Sequence, residues 1–173
     1  KKVSTILYDS AENEIVENLM KIKGMGSSKS LAIAAAIELG RRRNCHKNAV
    51  IKCPRDVVPF LKNYSMRTKE HFICVTLNGG HEIIQIRVVS VGTLNKTIVH
   101  PREIFSDALK ENAASIIVCH NHPSGTASPS AEDRALTRRA ASAAELIDIR
   151  LLDHVIITSD SEQFYSFADH GEL

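Results

Sequence analysis

The sequence predicts an α/β protein: a mixed β-sheet flanked by helices, preceded by a small all-helical module. Two helix-like stretches joined by a glycine turn fill the first 43 residues, and strand-like apolar runs then alternate with helix-like segments. A chain of 173 residues with 43% hydrophobic content can bury one good core and a small second module. We therefore predict a helical module over residues 1–46 and a larger domain over residues 47–173.

The N-terminal module is predicted to contain two helices. The first follows the capping pair Asp9-Ser10, because apolar side chains then recur at helical spacing. The second helix is predicted to run over residues 28–43, which are rich in alanine, leucine and isoleucine. The apolar positions of the first helix are Ile15, Leu19 and Ile22.

A glycine turn separates these two helices. Gly24 and Gly26 permit a tight turn, and the segment resembles a helix-hairpin-helix motif. Backbone N–H groups at the start of the second helix could hold a phosphate, and Lys23 and Lys29 would add positive charge. We predict weak, salt-dependent contact with the DNA backbone, supported by the basic cluster at residues 41–43. The alternative is two packed helices that bind no ligand.

The larger domain is predicted to alternate strands and helices. Asn78-Gly79-Gly80 is a hairpin turn signal between two strands, and Pro101 suits the first position of a helix. The predicted helices cover residues 54–64, 101–112 and 130–146, and the predicted strands cover residues 71–77, 83–91, 97–99, 115–120, 151–158 and 164–167.

The strongest chemical signal lies in residues 120–133. A buried-strand pattern precedes His120, and residues two apart in a strand point to the same face, so His120 and His122 can converge. Ser130 stands at the N-cap of a predicted helix, and Asp133 lies in its first turn. Two imidazoles and one carboxylate would form a three-ligand zinc site with an open fourth position, which is typical of catalytic zinc. In the simpler alternative, Ser130 caps the helix and Asp133 interacts with its dipole.

The spacing His-x-His-x7-Ser-x2-Asp resembles the signature of the JAMM metalloproteases, also called the MPN-plus or JAB family. The match consists of His120, His122, Ser130 and Asp133. Four segments are also similar to the sequences of bacterial RadC proteins: VGTLN, HPREIF, HNHPSG and LDHVII, which begin at residues 91, 100, 120 and 152. The resemblance extends over roughly residues 15 to 173.

This resemblance implies a curved mixed sheet, a JAMM- or JAB-like sandwich similar to that of cytidine deaminases, with one zinc ion per chain at one edge. It implies a zinc metallopeptidase that cleaves peptide or isopeptide-like amide bonds, and the RadC name implies a link to DNA repair or DNA-bound partners. In the family a glutamate on an earlier strand is the general base; Glu70 is the best positional match, with Glu82 and Glu103 as competitors. Ser130 would donate a hydrogen bond to the oxyanion of the tetrahedral intermediate.

Two further functions are compatible with the same residues. The first is a zinc-dependent DNA-processing enzyme, although one three-ligand zinc is a weaker phosphodiesterase design than a two-metal site. The second is a DNA-binding or scaffold protein in which zinc only stabilises the fold. Asp153 and His154, which begin a strong strand pattern, either orient a ligand or make hydrogen bonds at the strand edge.

Composition narrows the protein class. The net charge of +2 gives no overall field that favours nucleic acid. There is no signal peptide, and no apolar run approaches the ~18 residues of a membrane span, so a cytoplasmic protein without membrane association is expected.

RadC relatives usually carry additional helices ahead of the hairpin, so the small module is expected to be trimmed or incomplete. The sequence predicts neither the substrate nor the oligomeric state. Free thiols are expected for the four cysteines, Cys45, Cys53, Cys74 and Cys119.

Overall fold

A computed structural model of the chain describes residues 14–43, 49–92, 99–160 and 163–173, with the backbone alone at residues 41–43. The chain forms two compact units, Lys1–Cys45 and His46–Leu173. Apolar side chains are buried within each unit, so each has a core of its own.

The first unit contains helix α1 (Ile15–Met20) and helix α2 (Ser27–Arg43). Ile15 and Leu19 are buried and pack with apolar side chains of the turn and of α2. Gly24 has φ +85, a left-handed conformation that glycine adopts without steric cost, so it allows the turn that separates the helices. Ile22 lies in this turn rather than in α1, which ends at Met20, two residues earlier than the spacing predicted. The predicted cap Asp9-Ser10 lies outside the described residues.

The second unit contains five strands and three helices among the described residues. Most boundaries lie within two residues of the predicted ones. The helices are α3 (Pro54–Ser65), α4 (Pro101–Lys110) and α5 (Ala131–Ile147), and the strands are β1 (His71–Leu77), β2 (Ile83–Val91), β3 (Ser115–Asn121), β4 (Arg150–Ile157) and β5 (Phe164–Ser166).

The strands form one mixed sheet in the order β2-β1-β3-β4-β5. Strands β1 and β2 are antiparallel and meet at the predicted hairpin, where the Asn78 side chain accepts hydrogen bonds from the N–H groups of Gly80 and Glu82. Strand β1 is also antiparallel to β3, whereas β3 and β4 are parallel and are joined through α5. The antiparallel strand β5 completes the sheet.

Helices cover both faces of this sheet. Side chains alternate along each strand, so Ile116 and Val118 of β3 pack with α4 and α5, while Ile117 and Cys119 pack with α3. The predicted fold class, a mixed sheet flanked by helices, is confirmed. This alternation places His120 on the face that α4 and α5 cover and Asn121 on the opposite face.

Two predicted boundaries differ in informative ways. Helix α4 ends at Lys110 rather than at residue 112, because Asn112 has φ 51 and leaves the helical conformation. Strand β3 continues one residue further than predicted, to Asn121, so His122 follows the strand directly. The predicted strand at residues 97–99 falls largely outside the described residues.

Within the described part of the chain, no helix is both long enough and apolar enough to cross a membrane. Cys74 and Cys119 are free, buried thiols, as predicted, and Cys53 is a free, exposed one. Burial raises the pKa of Cys74 to about 12, so this thiol stays protonated at neutral pH. Cys45 lies outside the described residues.

Candidate metal centre

The predicted ligand residues meet where the end of β3 approaches the start of α5. His120 is the penultimate residue of β3, and its side chain is 3% exposed. His122 lies just beyond the strand, where its backbone N–H donates to the carbonyl oxygen of Ile157 at 2.9 Å. This bond extends the β3–β4 pairing past the strand end and holds His122 on the same face as His120.

Three potential ligand atoms converge at this point. The Nε2 atoms of His120 and His122 lie 2.9 Å apart. The Asp133 carboxylate contacts both rings, with Oδ1 3.2 Å from His120 Nε2 and Oδ2 3.6 Å from His122 Nε2. Donors in a tetrahedral zinc site at about 2.0–2.1 Å from the ion are themselves about 3.3 Å apart. The three residues therefore have both the donor chemistry and the spacing of a set that could hold a metal ion.

Ser130 and Asp133 also form a capping box at the start of α5. The Asp133 N–H donates to Ser130 Oγ at 3.1 Å, and the Ser130 N–H donates to Asp133 Oδ2 at 2.7 Å. The Ser130 hydroxyl donates to the same carboxylate oxygen at 2.6 Å. The simple capping alternative is thus present in the structure, and it coexists with the contacts to the two histidines. The cap fixes the carboxylate in the position from which it reaches both rings.

The electrostatic environment of this centre shifts the pKa of two of its groups. Burial tends to raise the pKa of Asp133, but hydrogen bonds with His120, His122 and Ser130 and a charge interaction with His120 outweigh it and hold the pKa well below its usual range. Burial tends to lower the pKa of His122, but its contacts with Asp133, with the Thr126 carbonyl and with Glu70 raise it overall. The centre therefore holds Asp133 as a carboxylate and favours positive charge beside it.

Glu70 lies at the edge of this centre. The antiparallel register pairs Phe72 with His120, and continuing it by two residues places Glu70 opposite His122. The Glu70 carboxylate is 3.8 Å from His122 Nε2, and Glu70, His120 and His122 offer ligand atoms that all lie within 4.8 Å of one another. Glu70 is therefore either a ligand or a group placed beside one.

The two competing glutamates are engaged elsewhere. Glu82 accepts a hydrogen bond from the Asn78 amide at 2.7 Å, in the hairpin at the far end of β1. That end is seven residues from Glu70, which is about 23 Å at about 3.3 Å per strand residue. Glu103 caps α4 by accepting from the His100 N–H at 3.0 Å. Of these three glutamates, Glu70 alone contacts a predicted ligand.

Asn121 connects the segment that carries Glu70 to the strand that carries His120. Its side chain is fully buried; Oδ1 accepts from the His71 N–H at 2.7 Å, and Nδ2 donates to the carbonyl oxygens of Arg67 and Lys69 at 3.2 and 3.1 Å. These three bonds bracket Glu70 on both sides. The Glu70 carbonyl also accepts from the Gly92 N–H at 2.9 Å. The backbone of Glu70 is thus held between β3, which carries His120, and the end of β2.

We expect Asn121→Ala to lower the free energy of unfolding by about 3 kcal/mol, because it leaves buried backbone groups without partners. Urea unfolding measures this loss. Ser124→Ala, an exposed change on the next loop, is the control and should shift stability by less than about 0.5 kcal/mol. Equal stability of the two variants would contradict this role for Asn121.

The residues predicted to contact DNA lie in the first unit. Lys23, Gly24, Gly26 and Lys29 are all exposed, around the turn and the start of α2. The side chains of the basic cluster at residues 41–43 are outside the description. Contact with the DNA backbone stays a prediction for these four residues.

Sequence reasoning missed or undervalued three residues that surround the centre. Asn121 alternates with the two histidines and therefore faces the other side of the sheet. Thr137 follows Asp133 by one helical turn and contacts the His154 ring, which is fully buried. Burial lowers the pKa of His154 well below its ordinary value, so this ring is neutral. The available signals were sequence spacings: Asn121 follows His120 by one residue, and Thr137 follows Asp133 by four.

Comparison with known proteins identifies a family. The family model described as the RadC-like JAB domain matches residues 51–172. A UPF0758 protein of Bacillus licheniformis is 46% identical over 162 residues, which cover 91% of this chain and 71% of the relative. UPF0758 proteins of Geobacillus kaustophilus and Rubrobacter xylanophilus are 42% and 43% identical, over 90% and 91% of this chain and 70% of each relative.

Proposed function

Because the chain belongs to the RadC family, whose JAB-like domain contains the candidate metal centre, we propose that it is a zinc-dependent hydrolase of peptide or isopeptide-like amide bonds. One observation carries the proposal. Two imidazole nitrogens and a carboxylate converge within 3.6 Å, and a second carboxylate lies 3.8 Å from one of those nitrogens. A set of ligands with an acid–base group beside it is the arrangement that metal-assisted hydrolysis requires.

We assign His120, His122 and Asp133 as the ligands and Glu70 as the base. The Asp133 carboxylate contacts both rings and is oriented by three hydrogen bonds within the capping box, two of which it accepts. Glu70 contacts one ring, that of His122, at the longest of these distances. The nitrogen and oxygen donor set favours zinc over magnesium or calcium, which prefer oxygen ligands.

When bound, zinc would act as a Lewis acid and lower the pKa of a coordinated water toward about 7. Glu70 would accept the proton of the attacking water through its carboxylate and then deliver that proton to the leaving amine nitrogen. Its side chain is 23% exposed, so it can reach both the centre and a substrate at the surface. The three hydrogen bonds of Asn121 on the flanking backbone keep this carboxylate in place.

Ser130 would supply the oxyanion donor. Its hydroxyl is at the exposed start of α5 and donates to Asp133 Oδ2 in the present structure. Turning the same hydroxyl toward a substrate would place a donor where negative charge develops on the carbonyl oxygen, at the positive end of the helix. The Ser130 N–H would keep Asp133 oriented while the hydroxyl turns.

A cleavage screen on zinc-loaded protein tests this proposal. The probes are internally quenched peptides of varied sequence and a matched set in which the scissile amide joins a lysine ε-amine. We expect cleavage of at least one probe by the wild type, and loss of that cleavage in His122→Ala. Failure of stoichiometrically loaded, folded protein to cleave any probe would contradict the proposal.

Plasmid and single-stranded DNA belong in the same screen, since activated water also attacks phosphodiesters. We expect both to remain intact. DNA degradation that disappears in Asp133→Ala, without amide cleavage, would support a DNA-processing enzyme instead. Zinc binding without any hydrolysis would support the DNA-binding or scaffold alternative.

A further inference from the structure

A buried chain of hydrogen bonds leads from the centre into the interior of the protein. His120 Nδ1 lies 2.8 Å from His154 Nε2, and His154 Nδ1 lies 2.6 Å from Thr137 Oγ1. Thr137 Oγ1 lies 2.7 Å from the backbone carbonyl oxygen of Asp133. His154 and Thr137 are 0% and 1% exposed, so these bonds are shielded from water.

The carbonyl oxygen of Asp133, at the end of this chain, determines which atom donates the proton in each hydrogen bond. A carbonyl oxygen can only accept, so the single hydroxyl proton of Thr137 must point to Asp133. The Thr137 oxygen then accepts a proton from His154 Nδ1. The His154 ring is fully buried, and its two nitrogens face only the Thr137 hydroxyl and the His120 ring, so a second proton would be a buried charge without an anionic partner. With one proton on Nδ1, His154 Nε2 is an acceptor and must receive the Nδ1 proton of His120.

This order leaves a lone pair on Nε2 of His120, the atom that faces the centre. His122 is oriented in a similar way, because its Nδ1 lies 2.7 Å from the Thr126 carbonyl oxygen and must donate to it, which leaves Nε2 as the nitrogen that faces the centre. The two Nε2 atoms and the Asp133 carboxylate therefore face one another across 2.9 to 3.6 Å, which places three metal-ligating groups around one point.

The His154 ring is itself held in place. It stacks on Phe167, with centroids 4.7 Å apart and planes at 8°, and it meets the edge of Phe72 at 5.8 Å. Metal-binding histidines usually donate their second N–H to a carboxylate, a backbone carbonyl or water, and these partners fix the tautomer. Here the imidazole of His154 is the group that accepts the second N–H of His120, and the Thr137 hydroxyl orients that imidazole in turn.

We propose that Thr137 and His154 are positioning residues that fix His120 as the Nδ1–H tautomer and so prepare its Nε2 for metal binding. The same chain joins the two elements that carry the ligands, because Thr137 is on α5 with Asp133 and His154 lies beside β3. The expected effect on metal affinity rests on the proposed function of this centre, whereas the tautomer of His120 is a property of the metal-free protein.

Thr137→Val and Thr137→Ser form the matched pair that tests this proposal. Valine keeps the branched shape but removes the hydroxyl, so His154 can bind its proton on Nε2 and force His120 into the wrong tautomer. Serine keeps the hydroxyl. Zinc affinity from competition with a chromogenic chelator should fall about 10- to 100-fold in Thr137→Val and stay within about threefold of wild type in Thr137→Ser. Circular dichroism and thermal unfolding confirm that both variants are folded.

The ring nitrogens can be observed directly in metal-free, ¹⁵N-histidine-labelled protein. Long-range proton–nitrogen NMR spectra should show His120 protonated on Nδ1 in the wild type and in Thr137→Ser, with that pattern lost in Thr137→Val. His154→Gln, whose side-chain oxygen can replace the accepting Nε2, should keep the wild-type pattern and is the second variant if Thr137→Val does not fold.

A wild-type His120 protonated on Nε2 would overturn the proposal, as would equal zinc affinity in Thr137→Val and Thr137→Ser. Both readouts are independent of any substrate. If the affinities behave as expected and no amide is cleaved, the hydrolase proposal fails and this one stands. If the wild type binds no zinc, the NMR spectra alone decide it.

Discussion

Glu70→Gln is expected to reduce amide hydrolysis by about 10²- to 10⁴-fold while zinc content and thermal stability stay those of the wild type. Glutamine keeps the size of the side chain but cannot accept the proton of water at neutral pH. The Glu70 backbone is held by neighbours that the substitution does not touch, so the segment should remain in place. Initial rates on the best probe of the cleavage screen, with metal analysis of the same samples, measure the effect.

Glu82→Gln is the matched control for this prediction. It makes the same chemical change on the same hairpin, and a glutamine oxygen can still accept from the Asn78 amide. Its activity should stay within about twofold of wild type. Full activity in Glu70→Gln would show that another group is the base, and Glu103 would be tested next despite its cap on α4.

Asp133→Asn is expected to lower zinc affinity by at least about 100-fold. The carboxamide can still accept the Ser130 N–H, so the cap of α5 is largely kept, but the negative charge between the two imidazoles is lost. The metal-free variant should unfold within about 1 kcal/mol of wild type, since the capping hydrogen bonds remain. Chelator competition and urea unfolding give the two quantities.

Glu132→Gln separates metal binding from an effect of the helix dipole. Glu132 is exposed in the same first turn of α5, so its neutralisation changes the dipole interaction without touching the centre. Its zinc affinity should equal that of the wild type. Asp133→Asn and Glu132→Gln would both bind zinc normally if Asp133 were only a capping residue, and their free energies of unfolding would differ from that of the wild type by only a few tenths of a kcal/mol. That result would show the ligand assignment to be wrong.

The parts of this fold that the sequence predicted well depend on local rules. Strand alternation put His120 and His122 on one face, and the N-cap signal put Ser130 and Asp133 at the start of α5. The hairpin at Asn78 followed from turn chemistry. These patterns need only neighbours in sequence, so a single chain was enough to predict them.

What the sequence could not predict depends on long-range pairing. The register that sets Phe72 against His120 is what brings Glu70 to His122, and no local pattern contains it. Asn121 holds backbone groups about 50 positions away, and His154 reaches His120 only because β3 and β4 are parallel neighbours. The choice among Glu70, Glu82 and Glu103 likewise required the tertiary contacts.

The most direct test of the central claim is the metal content of untagged wild-type protein by inductively coupled plasma mass spectrometry, measured beside His122→Ala and Asp133→Ala. The account predicts about one zinc per wild-type chain and its loss in both variants. A well-folded wild type that holds no metal, even after incubation with zinc, would contradict the claim.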